Sequence, residues 1–172
     1  MNVFVAGVHA VGKSFLCADF SLSHGWIHRS ASQLIREESG SGNWSADKRV
    51  SDAENNQRAL ISAVNRINGE SKTLLLDGHF VLKGVGGEFI KLESSVFSAL
   101  NLSGVILIEA KPDVIISRIK NRDDVVVDLQ GIKNFIDVER DQAKKVCLAL
   151  GLPLIVMMEP SSKDFSGNIS RF

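Results

Sequence analysis

The stretch Asn2-Val3-Phe4-Val5-Ala6-Gly7-Val8-His9-Ala10-Val11-Gly12-Lys13-Ser14 decides how the rest of the chain is read. Its first five residues form a short, mostly apolar run, of the kind found in a strand buried on both faces of a parallel sheet. The next eight spell G-x-x-x-x-G-K-S, a phosphate-cradling loop set between a strand and a helix. Each fixed position has a physical reason. Gly7 lets the chain leave the strand in a tight turn, and Gly12 lets backbone N–H groups approach phosphate oxygens. A helix beginning at Lys13 adds unpaired N–H donors and the positive end of its dipole. Lys13 supplies a point charge for the β and γ phosphates, and the Ser14 hydroxyl is a ligand for Mg²⁺. The pattern predicts ATP and Mg²⁺ as cofactors, with Gly7, Val8, His9, Ala10, Val11, Gly12, Lys13 and Ser14 around the phosphates.

Working outward, further strand-sized runs occur at Trp26 to Arg29, Thr73 to Leu76, Val105 to Glu109 and Leu154 to Met158. Segments of helical spacing separate them: Lys13 to Ser23, Ser32 to Ser39, Ser51 to Asn68, Pro112 to about Lys120 and Asp128 to Leu150. In the third, Leu60, Ile61, Val64 and Ile67 form one stripe; in the last, Ile132, Phe135, Ile136, Ala143, Val146, Cys147 and Leu150 do. A short helix is expected in the tail from Ser161 to Phe172, while Ser39 to Asn43 and Lys83 to Gly87 read as loops. This β–α alternation predicts an α/β, three-layer P-loop fold: a five-stranded parallel sheet flanked by helices, with residues 1–172 as one domain.

Composition narrows the function classes. The chain has 172 residues, 44% hydrophobic and 23% charged, which is enough for a full core without staples. Twenty basic against 20 acidic residues leave a net charge of zero, so no overall field draws it to nucleic acid or anionic lipid. No apolar run reaches membrane-span length, and Met1-Asn2 leads into the strand without an export-signal pattern, so a cytoplasmic location is expected. Cys17 and Cys147 read as reduced, packed thiols. With four scattered histidines, they make no structural zinc cluster. No heptads point to an oligomeric state.

Three further groups are candidates for chemistry. Asp77, after Leu74-Leu75-Leu76, stands where a carboxylate holds Mg²⁺ beside such a loop, although Asp77-Gly78 also reads as a turn dipeptide. His79 reads as a loop histidine or a substrate contact. Arg118 and Arg122, four apart on a helix, can stabilise a phosphoryl group in transfer or simply form a solvated helix end.

This order of features resembles the small P-loop nucleoside monophosphate kinases, especially the archaeal-type adenylate kinases and related short ATP-binding proteins. Asp77-Gly78-His79-Phe80 resembles the family's strand-end motif. Ile108-Glu109-Ala110-Lys111-Pro112-Asp113, followed by Arg118 and Arg122-Asp123, is similar to its run into an arginine-bearing lid, here short and at about 118–128. Glu139-Arg140 before Ala143 resembles the next helix. The resemblance implies catalytic roles for Lys13, Asp77, Arg118 and Arg122, ATP contacts from Arg118 and Arg140, and acceptor binding by Arg36, Ser32 and His79. It implies transfer of the γ-phosphoryl group of Mg·ATP to a small-molecule acceptor, a nucleoside monophosphate. Two departures concern the loop: Ala10 stands where these kinases carry a third glycine, and His9 is unusual there. Were the acceptor an alcohol, Asp77 would be the base. A different class, an ATPase or ATP-gated regulator of a protein partner, fits the same loop. The chain has no N-K-x-D guanine motif.

Overall fold

The computed structural model describes residues 1–39, 53–84, 86–123 and 127–172. Five parallel strands form the main sheet: β1 (Asn2–Ala6), β2 (Ile27–Ser30), β3 (Leu74–Asp77), β6 (Leu102–Glu109) and β7 (Leu154–Met158). Their order is β2-β3-β1-β6-β7. The central strands β1 and β3 are buried along their whole length, which is why their sequences run apolar without alternation. The register sets Val5 against Asp77 on one side and Ile106 on the other, and Ser30 against Asp77. The C-terminal ends of β1, β2 and β3 therefore share one edge, at the place where neighbours of β1 are reached in opposite directions. A crevice opens there in such sheets.

Helices α1 (Lys13–His24), α2 (Ala31–Glu38), α3 (Ala53–Gly69), α4 (Ser94–Ser98), α5 (Pro112–Asp123), α6 (Leu129–Leu150) and α7 (Ser162–Ile169) cover the sheet. Their ends follow the sequence. Ser30, Asp128 and Ser161 accept a backbone N–H from the first turns of α2, α6 and α7, and Gly151 ends α6 in the left-handed conformation. In α7, Phe165 and Ile169 are buried. Both cysteines are free and buried, and no described helix is long and apolar enough to cross a membrane.

One piece was not anticipated. The stretch expected as a loop from Lys83 begins inside an antiparallel hairpin, β4 (Val81–Lys83) with β5 (Phe89–Lys91), and Gly84, Gly86 and Gly87 lie between its strands. Strands of three residues are too short to show alternation, so only the turn is visible in the sequence. The expected loop at residues 40–43 and part of the lid, 124–126, lie outside the described residues.

Candidate phosphate-binding site

The loop after β1 is shaped by backbone geometry. At Gly7 φ is +139°, and a Cβ there would collide with the carbonyl oxygen of Ile108. Ala10 has φ +64°. Alanine thus takes the left-handed conformation that glycine adopts freely, at a cost of roughly 1–2 kcal/mol. Cations hold the loop's carbonyls. Arg118 Nη1 donates to the carbonyls of Ala10 and Val11, both at 3.0 Å, and Lys13 Nζ donates to those of Gly7 (2.6 Å) and Val8 (3.1 Å). Burial lowers the Lys13 pKa to about 8, against the opposing pull of the Asp77 and Glu139 carboxylates.

Beside Lys13, the Ser14 hydroxyl donates to Asp77 Oδ2 at 2.9 Å, joining the first turn of α1 to the end of β3. The same oxygen lies 2.7 Å from His28 Nε2, reaching across from β2. Cys17, three residues past Ser14, is fully buried, and burial followed by the Asp77 charge pushes its thiol well above the usual range. His79 stands against His9, ring centroids 4.3 Å apart. Burial, then the Lys13 and His9 charges, hold the His79 pKa far below the ordinary imidazole value, so this ring is neutral near pH 7. Its Nδ1 is buried with no hydrogen-bond partner among the described residues.

Lys13, Ser14, Asp77, His9 and His79 border a cleft of about 390 Å³. It brings together His9, Ala10, Gly12, Lys13 and Ser14 of the loop, Asp77 and His79 beyond β3, and Ser30 and Ser32 around the start of α2. Arg118 and Arg122 of α5 and the exposed ring of Phe15 complete it. A second hollow of about 210 Å³ lies between Phe15, Arg118 and the turn Glu159 to Ser162. A third, about 190 Å³, shares His9 and Arg122 with the cleft and adds Lys83, Ile132 and Phe135.

Other expected residues stand elsewhere. Val8 and Val11 turn their side chains into the core. Arg140 is not in the cleft: Nε and Nη2 pair with the two carboxylate oxygens of Glu109 at 2.6 and 2.9 Å, and Nη1 pairs with Asp137. The physical reason is Glu109, a buried carboxylate at the end of β6 that requires a cation. Arg36 is exposed in the last turn of α2, one turn beyond Ser32, and does not line the cleft.

Sequence reasoning also passed over Glu139. Only 1% exposed, it accepts the backbone N–H of Gly7 (3.2 Å), of Phe80 (3.0 and 3.1 Å) and of Val81 (2.7 Å). Burial raises its pKa, while the N–H groups of Phe80 and Val81, then Lys13, hold it down. One carboxylate thus fixes both the start of the phosphate loop and the chain leaving β3. The available signal was an acid on the inward stripe of α6, between Ile136 and Ala143.

A parallel sheet, a glycine loop opening a helix and a carboxylate at the neighbouring strand end define a P-loop nucleotide-binding fold. The chain belongs to the AAA domain family, whose model matches residues 6–133. No curated protein sequence matches it. Solved structures similar to it include shikimate kinase from Acinetobacter baumannii in complex with shikimate, at 12% identity and TM-score 0.62, covering 99% of this chain and 90% of that one. A sugar kinase from a Janibacter species has 12% identity and TM-score 0.60, with 99% and 92% covered. The YorR protein of Bacillus subtilis in complex with phosphorylated GDP has 15% identity and TM-score 0.58, with 99% and 94% covered. At these identities the likeness is one of fold.

Proposed function

We propose that this chain is an ATP-dependent phosphotransferase that moves the γ-phosphoryl group of Mg·ATP to a small acceptor, and that the acceptor is a nucleoside monophosphate, as in adenylate kinases. The observation that carries the reading is the convergence of Lys13, the Ser14–Asp77 pair, Arg118 and Arg122 on one cleft.

Ser14 and Asp77 present hard oxygen donors side by side, which fits Mg²⁺. That ion supplies neutralisation of the β and γ phosphate oxygens when bound. Lys13 turns its ammonium from the loop carbonyls to the phosphates. Arg118 and Arg122 offset the charge that spreads over the transferring group, and Phe15 and the walls of the cleft exclude water from it. The second hollow, beyond Phe15, is sized for the nucleoside end of ATP. An anionic acceptor suits a cleft in which Asp77 is the sole carboxylate among the described lining residues. Its phosphate oxygen attacks without a general base, and Ser30, Ser32 and His79 are placed to bind it. A phosphorylated nucleotide also occupies the similar YorR structure.

A second reading, an alcohol acceptor, is favoured by the His28–Asp77 contact. An imidazole there orients the carboxylate as a base for a hydroxyl, and two similar structures are a shikimate kinase and a sugar kinase. Labelled Mg·ATP offered to a panel of nucleoside monophosphates and polyhydroxy compounds, with Lys13→Ala as control, separates the two. Label is expected in one nucleoside diphosphate and absent with the variant. Label only in an alcohol product selects the second reading, and free phosphate alone overturns both.

A further inference from the structure

Behind the Ser14–Asp77 pair, three elements each deliver a donor of a different kind: Cys17 Sγ from α1, His28 from β2 and the Asp77 carboxylate from β3. Their ligand atoms lie within 4.8 Å of one another. We propose that these three side chains bind one borderline-soft divalent ion of the Zn²⁺ or Co²⁺ class, at a site that shares Asp77 with the nucleotide's Mg²⁺.

The donor set decides the class of ion. Mg²⁺ takes hard oxygen ligands in octahedral geometry and has no use for a thiol or an imidazole. Thiolate with imidazole and carboxylate suits tetrahedral Zn²⁺ or Co²⁺. Bond lengths of about 2.0–2.3 Å around such an ion place neighbouring ligand atoms roughly 3.3–3.7 Å apart, so the present arrangement closes on it by side-chain movements of about an ångström. His28 Nε2 and Asp77 Oδ2 already lie 2.7 Å apart, and the fourth tetrahedral position is left to water or to Ser14 Oγ, which lies 2.9 Å from Asp77. The Lys13 ammonium is hydrogen-bonded to the carbonyls of Gly7 and Val8, and its charge also acts on Asp77 and Cys17.

Cys17 packs in the core, where full burial makes it no nucleophile, and it is a free thiol. On binding, the thiol proton passes to solvent and the sulfur lone pair to the ion; no oxidation state changes. An ion held there takes the carboxylate from Ser14 and blocks Mg·ATP use, a consequence that rests on the phosphotransferase reading. The binding itself does not.

The test is a Co²⁺ titration of the full chain, followed by absorption. One equivalent should produce thiolate-to-cobalt charge transfer together with the intense d–d bands of tetrahedral cobalt. Zn²⁺ should abolish both, and excess Mg²⁺ should leave them. Cys17→Ser should remove the charge-transfer band, His28→Gln should weaken binding at least tenfold, and Cys147→Ser should change nothing. Absence of the band in the wild type, or its survival in Cys17→Ser, overturns the proposal. Should Cys17→Ser not fold, His28→Gln on the sheet edge decides, and undiminished affinity there overturns it equally. The optical readout is independent of phosphoryl transfer, so a chain that binds Co²⁺ but, freed of it by a chelator and given Mg·ATP, still transfers nothing refutes the kinase reading alone.

Discussion

The phosphate loop and the β4–β5 hairpin meet around His9, but they are held in place by different means. Much of the loop's form is written into eight consecutive residues, through a glycine that no side chain can replace and a lysine that folds back on the loop's carbonyls, with Arg118 and Glu139 reaching it from α5 and α6. The hairpin has only its turn as a local determinant, where Gly87 takes φ +85° and donates its N–H to the Gly84 carbonyl. It is held by α6, far along the chain, through Glu139 on Phe80 and Val81, Gln142 Nε2 donating to the Leu92 carbonyl at 2.7 Å, and Phe135 stacked on Phe89. Lys83 adds its ammonium over the Phe135 ring at 4.9 Å. Local encoding is therefore stronger in the wall built by the phosphate loop, while the opposite wall depends mainly on tertiary contacts.

Substitutions can break this contrast. The largest expected effect is from Glu139→Ala, which strips three buried backbone N–H groups of their acceptor and should destabilise the chain by about 3–5 kcal/mol, read from the urea midpoint. A variant that melts like the wild type would show that the hairpin wall is held without α6. Next comes Gly7→Ala, confined to the loop wall. Overpacking against the Ile108 carbonyl should remove about 2–3 kcal/mol and abolish nucleotide binding by calorimetry. Arg140→Ala should remove about 1–2 kcal/mol, by leaving the Glu109 carboxylate unpaired, with nucleotide affinity unchanged. A matching loss of affinity would return Arg140 to the cleft. The smallest effect, and the only gain, belongs to Ala10→Gly: relief of the left-handed alanine should add about 1 kcal/mol, or about 2–4 °C in Tm.

The same contrast explains what could be read from the sequence. Strands β1, β3 and β6 were legible because burial on both faces forces continuous aliphatic runs, β7 by its unbroken apolar run although it is an edge strand with Val156 and Met158 exposed, and α3 and α6 because their stripes recur every three or four residues. Lys13, Ser14 and Asp77 were legible because phosphate and Mg²⁺ chemistry dictates residue types next to a strand end. His28 was not. Its contact with Asp77 spans 49 residues and exists only once β2 is known to lie beside β3. Arg140 has the residue type and helix that the resemblance suggests, yet Glu109 claims it, and that pairing is invisible until β6 and α6 are brought together.

The Glu139 carboxylate has a further consequence, for exchange with solvent deuterium. The amide hydrogens of Gly7, Phe80 and Val81 belong to segments more than 70 residues apart, yet all three end on the same two oxygens. Movement of that one carboxylate releases all three together. The three should therefore exchange as one cooperative unit, with a common opening free energy, and that unit is a clock for how often the floor of the site comes apart.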